Sequence, residues 1–258
     1  MRVSVQASAL LAAGYPSLLE GLDALGARRV ELALTPACEA PRLDGGGWAS
    51  VADEGCARAY RGGLHDHAVV VSALSIASPP GEALPASILI LARQAADVLG
   101  APVVRIEGPA SRGALLGLLT QVGAATEGLR AVFALPYPGA GSESGSAGLG
   151  DEDADASGNG LALEVGPLLA GGGTRGPWQA LRRVAAEVRC VVCGAPAGEG
   201  GLPVGLAATG VDYARLVAIL GRVGYSGALT LSLQGRETGN PELLRDDMAW
   251  LKDIVGEY

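Results

Sequence analysis

Residues 212–233 read DYARLVAILGRVGYSGALTLSL, from Asp212 to Leu233. Asp212 is a capping carboxylate, and Leu216, Ile219, Leu220 and Val223 fall on one face of the helix it starts. Gly224-Tyr225-Ser226-Gly227 breaks that helix. Leucine then takes every second position, Leu229, Leu231 and Leu233, with Thr230 and Ser232 between them. That is a strand with one apolar and one polar face. Asn240 caps a closing helix with Pro241 at its first position, and Leu244, Met248, Leu251 and Val255 form its apolar stripe. Helix, tight turn, strand and helix in this order make the unit of a parallel α/β fold.

The same unit recurs towards the N-terminus. Strands are expected at Arg2–Gln6, Arg29–Leu34, His67–Ser75, Pro102–Glu107, Arg130–Leu135, Leu161–Val165, Arg189–Cys193 and Ala228–Leu233. Helices are expected over Leu18, Leu22 and Leu25, weakly over Val51–Tyr60, over Ile88–Leu99, after a Ser111 cap, and from Pro177. A Gly-rich loop carrying Trp48 follows the second strand. Eight strands separated by helices or long crossovers predict a parallel (β/α)8 TIM barrel, and 258 residues suit one such domain over 1–258. An open doubly wound sheet is the rival, but no strand runs into a G-x-G-x-x-G turn.

One unit departs from the pattern. Residues 139–160 are mostly glycine, serine and acid, with Leu149 the only large apolar residue. Such a segment cannot bury enough surface to offset its ordering entropy, so the fifth helix is expected to be replaced by an acidic flexible loop. It follows a strand and therefore starts on the face where barrel active sites lie. A solvated insertion and an active-site lid both fit this composition.

Bulk chemistry removes several function classes. Apolar residues make up 49 % of the chain, and mean hydropathy is +0.31, so a large core is available. No apolar run approaches the ~18 residues of a membrane span, and the start reads as a strand rather than a leader, so a cytoplasmic protein without membrane contact is expected. Net charge is −8, which disfavours nucleic acid as a partner. A homo-oligomer is compatible with the sequence. Cys190-Val191-Val192-Cys193 has the spacing of a redox or zinc pair. In a strand, however, residues three apart face opposite sides, which favours structural thiols.

Period-two reading assigns the barrel interior. Val30, Leu32 and Leu34 face outward, leaving Glu31 and Ala33 inside. By the same parity Arg105 and Glu107, Ala162 and Glu164, Thr230, Ser232 and Gln234, and Ser4 and Gln6 face inward. Glu31, Arg105, Glu107 and Glu164 lie on alternate strands, which fill common layers. Three carboxylates in a low-dielectric interior need a cation or a proton. Arg105 can supply the charge in an internal ion pair, or the same residues can form a ligand site.

These residues and the closing unit carry a resemblance. Gly210-Val211-Asp212-Tyr213, Gly224-Tyr225-Ser226-Gly227 and Leu229–Leu233 resemble, in order, the closing unit of the xylose isomerase-like family of sugar isomerases and epimerases. Leu25–Leu32, Leu99–Arg105 and Glu164–Gly171 are similar to its passages around strands two, four and six. The resemblance implies a divalent metal held by a Glu after strand five, an Asp after strand six, a His on strand seven and a Glu on strand eight. The corresponding positions here are Ala134 or Leu135, Glu164, Val192 and Ser232, so one ligand in four is kept. His65 and His67 precede strand three and belong at the opposite face.

The resulting expectation is a sugar isomerase/epimerase-like barrel that binds a small polar metabolite or acts as a non-catalytic homologue, with no cofactor. Glu31, Trp48, Arg105, Ser232 and Gln234 are its expected substrate-binding residues. The alternative is an active isomerase or epimerase of a carbohydrate with Glu107 and Glu164 as proton carriers. A divalent metal enters only under that alternative.

Overall fold

The structure is a computed structural model, and it describes residues 1–77, 84–107, 112–137, 159–166, 175–194, 205–233 and 240–257. Its strands are β1 (Arg2–Gln6), β2 (Arg29–Leu34), β3 (Glu39–Pro41), β4 (Trp48–Ser50), β5 (Val70–Ala77), β6 (Val103–Glu107), β7 (Val132–Pro136), β8 (Gly160–Glu164), β9 (Val188–Gly194) and β10 (Ala228–Ser232). All but β3 and β4 close a parallel barrel in the order β1-β10-β9-β8-β7-β6-β5-β2. The helices are α1 (Ala7–Ala12), α2 (Leu18–Ala24), α3 (Glu54–Asp66), α4 (Ala86–Leu99), α5 (Arg112–Ala125), α6 (Arg175–Val184), α7 (Tyr213–Arg222) and α8 (Pro241–Val255). This is the (β/α)8 architecture. No described helix is long and apolar enough to cross a membrane. The segment expected to replace the fifth helix falls almost wholly on 138–158, outside the described residues.

The closing unit folds as its residues dictate. The Asp212 carboxylate accepts from the Arg215 amide at 2.9 Å, and Asn240 Oδ1 accepts from the amides of Glu242 and Leu243. Each bond satisfies an amide that the first helical turn leaves without a partner. Leu216, Ile219 and Leu220 are buried, whereas Val223 caps the helix and is exposed. On α8, Leu244, Met248 and Leu251 are buried, and Val255 is half-buried.

Two local features differ from the sequence reading. The loop carrying Trp48 contains an antiparallel hairpin, with Pro41 paired to Trp48. The helix expected over Val51–Tyr60 runs from Glu54 to Asp66 instead. Asp53 starts it by accepting from the Cys56 amide at 2.8 Å. It ends where Ala68 turns to φ 55° and the Val69 amide reaches back to the Leu64 carbonyl. That cap makes His67 a helix-terminal residue and moves the next strand's start to Val70.

Candidate functional site

Strand parity and register bring the inward side chains to common heights. Gln6 pairs with Glu31, Ser75 with Arg105, and Arg105 with Ala134. Arg105 is therefore flanked on both sides by small side chains. Its long side chain can cross the interior over Ser75 towards β2 and over Ala134 towards β8. Apolar Ala73, Val103, Ala134, Ala162, Cys190 and Val192 form a separate interior cluster.

Arg105 organises the polar residues. Its side chain is 1 % exposed and Glu31 is fully buried. Nε and Nη2 donate to Glu31 Oε1 at 3.0 and 2.7 Å. Nη2 also donates to Glu107, and Nη1 lies 3.5 Å from Glu164 Oε1. Gln6 Nε2 adds a bond to Glu31 Oε1 at 3.0 Å. Burial alone would lower the affinity of the guanidinium for its proton. The carboxylates of Glu31 and Glu107 outweigh that and hold its pKa above the ordinary value.

The carboxylates differ in access. Glu31 is sealed, while the Glu107 and Glu164 side chains are 29 % and 35 % exposed. Both stand at the last residues of their strands, the end where barrel active sites are built. The arrangement is a buried ion pair with two anchored carboxylates turned towards the mouth. It can accept hydrogen bonds from hydroxyl groups, and a carboxylate held this way can receive or return a proton.

Ser232 is buried at the end of β10, level with Gly194. Gln234 lies outside the described residues. Trp48 does not join the cluster. It is half exposed and lines an outer groove with Leu19 of α2 and with Cys56, Tyr60 and His67 of α3 and its cap. Gln6 and Cys190 had no site role in the sequence reading, yet both face Glu31. Gln6 was visible in principle, because the first two strands place it level with Glu31.

Cys190 and Cys193 face opposite sides of β9, Cys190 into the barrel and Cys193 into the outer core. Cys190 Sγ lies 3.9 Å from Glu31 Oε2. Burial pushes its thiol pKa up, Glu31 pushes it further, and Arg105 offsets only part. Burial also raises Cys193, and raises Cys38 to about 11. Cys56 alone of the four is exposed. At pH 8 a disulfide reagent is expected to titrate one thiol per native chain rapidly and all four after denaturation. Fast loss of Cys190 from the native protein would contradict this placement.

The metal implied by the resemblance can be tested against the donors. Ala134 and Val192 belong to the apolar interior cluster, and Leu135 to the outer core. Glu164 remains, facing the Arg105 guanidinium, whose charge repels a cation. No three His, Cys, Asp or Glu side chains among the described residues converge to hold a metal. A divalent ion needs several oxygen or nitrogen donors, and this set does not fit one.

No family model matches the sequence, and no curated protein matches it either. Solved structures do match. A xylose isomerase domain protein from Planctomyces limnophilus is 18 % identical with a TM-score of 0.64, over 98 % of this chain and 95 % of that one. A sugar phosphate isomerase/epimerase from Parabacteroides distasonis is 13 % identical with a TM-score of 0.67, over 97 % and 93 %. A xylose isomerase-like TIM barrel protein from Mycobacterium smegmatis, in complex with magnesium, is 14 % identical with a TM-score of 0.61, over 92 % and 87 %. The chain therefore shares the fold of xylose isomerase-like TIM barrels along nearly its whole length.

Proposed function

We propose that this barrel binds a small, sugar-like polyhydroxy metabolite at its C-terminal mouth, without metal-dependent chemistry. The observation that carries the reading is the pair of partly exposed carboxylates, Glu107 and Glu164, fixed by one buried guanidinium. Vicinal hydroxyls are good donors to such a pair, and the fixed geometry limits the entropy lost on binding. The folds it resembles include sugar phosphate isomerase/epimerase proteins, which supports the ligand class.

Calorimetric titration with D-xylose, D-fructose and D-tagatose tests this reading. Binding of at least one sugar is expected, weakened at least about tenfold by Glu164→Gln or Glu107→Gln, because each removes a charge-assisted acceptor. Added manganese or cobalt should leave the affinity unchanged. Sugar binding that requires metal would sink the proposal.

The second reading, an active epimerase or isomerase, draws on the same two carboxylates. They flank Arg105 from different strands, as two proton carriers acting on neighbouring positions of one substrate would. Its signature is deuterium from the solvent entering the carbon next to the sugar carbonyl, followed by NMR. Glu107→Gln should abolish the exchange.

A further inference from the structure

The opposite end of the barrel carries a second feature. In most (β/α)8 barrels bulky branched side chains fill the interior. Here Ala73 and Cys190 are small, and a cavity of about 350 Å³ runs from the N-terminal mouth down to them and to Thr230. Arg2, Arg29 and Arg189 line it. Each stands at the first or second residue of its strand, so strand geometry sets all three around one opening. An adjoining depression of about 410 Å³ shares Arg189 and Tyr225 and adds Arg130.

The charges there do not cancel. Among the described residues, Glu257 is the carboxylate that meets the arginines, 3.3 Å from Arg29 and 3.8 Å from Arg2. Arg189 spends Nη1 on the carbonyls of Ala186 and Val188. Among the described residues, three cations against one anion leave a positive opening in a chain whose net charge is −8. Part of this offsets the carbonyl ends of the helices, which terminate at this face. That role does not require a hollow behind the arginines. The cavity's size falls in the range of small-ligand pockets, and Ser72 and Thr230 give its wall hydroxyl groups.

We propose that the N-terminal mouth is a second binding site, for a small metabolite carrying an oxyanion, phosphate or carboxylate. Arg2, Arg29 and Arg189 hold the anionic group, and the rest of the ligand enters the cavity towards Thr230. The guanidinium fork suits the paired oxygens of either anion. The site is separate from the carboxylates at the C-terminal mouth, so each proposal can fail without the other.

Calorimetry and thermal melts at low ionic strength, with inorganic phosphate, glycerol 3-phosphate and succinate as probes, test this. Saturable binding of at least one probe is expected, and the two organic probes distinguish a phosphate ester from a carboxylate. Arg29→Gln and Arg189→Gln should each weaken it about tenfold or more, as loss of a charge-assisted donor does. Arg58→Gln, the same charge change on the exposed face of α3, should not. Circular dichroism confirms that each variant is folded. No binding of any probe, or equal weakening by Arg58→Gln, overturns the proposal.

Discussion

Replacing Arg105 with methionine is expected to cost about 3–5 kcal/mol of folding stability, the cost typical of removing one partner from a buried ion pair. Glu31 is fully buried and takes two of its bonds from this guanidinium. Without Arg105 it keeps Gln6 Nε2 and the weak Cys190 thiol. A buried carboxylate so placed must stay charged without compensation or take up a proton. In a barrel of this size the loss corresponds to a melting temperature lower by roughly 10 °C. Arg105→Lys should recover only part, because an ammonium is a point charge and cannot serve Glu31 and Glu164 through separate nitrogens, as Nε and Nη1 do here. Adding Glu31→Gln to Arg105→Met should restore more, since it removes the orphaned charge. A melting temperature for Arg105→Met within 2 °C of the parent, estimated on the same scale, would show that the cluster is not a coupled unit.

The inward cluster was legible because strand side chains alternate with period two. Four polar residues at positions of inward parity on β2, β6 and β8 are enough to place them around one axis. Pairing was less legible. Arg105 reaches both Glu31 and Glu164 because Ser75 and Ala134 beside it are small, and that follows from register across three strands. The limits of the helix over Glu54–Asp66 are not legible in apolar periodicity, because they depend on the Asp53 cap and on Ala68 in the left-handed region. Trp48 stood near strand two in sequence, but the hairpin carries it to an outer groove. The arginine-lined opening had no linear signal at all. Arg2, Arg29 and Arg189 are far apart in the chain, and the hollow between them appears only when the interior side chains are placed together.

Alanine at Gly160 and alanine at Gly62 are expected to move stability in opposite directions. Gly160 is the first residue of β8, level with Ala134 on β7. A Cβ there would stand 2.3 Å from the Glu187 carbonyl oxygen and 2.5 Å from Arg189 Cγ. The arginine can swing aside, but the carbonyl belongs to the short helical turn Ala185–Glu187 that leads into β9. The strand or the turn must therefore shift, at about 1–3 kcal/mol. Gly62 lies within α3 with nothing within 4 Å of the added carbon. There alanine removes only the entropic penalty of glycine in a helix, and a gain of about 0.5–1 kcal/mol is expected. Denaturant melts of the two variants check the sign directly. The first substitution should also reach the candidate site, because Gly160 and Glu164 open and close the same strand. A shift of β8 alters the 3.5 Å approach of Glu164 to Arg105, so sugar affinity should fall for Gly160→Ala and hold for Gly62→Ala. Equal stability of the two variants would mean that the contact at Glu187 is relaxed in solution, and that β8 does not set the position of Glu164 through its first residue.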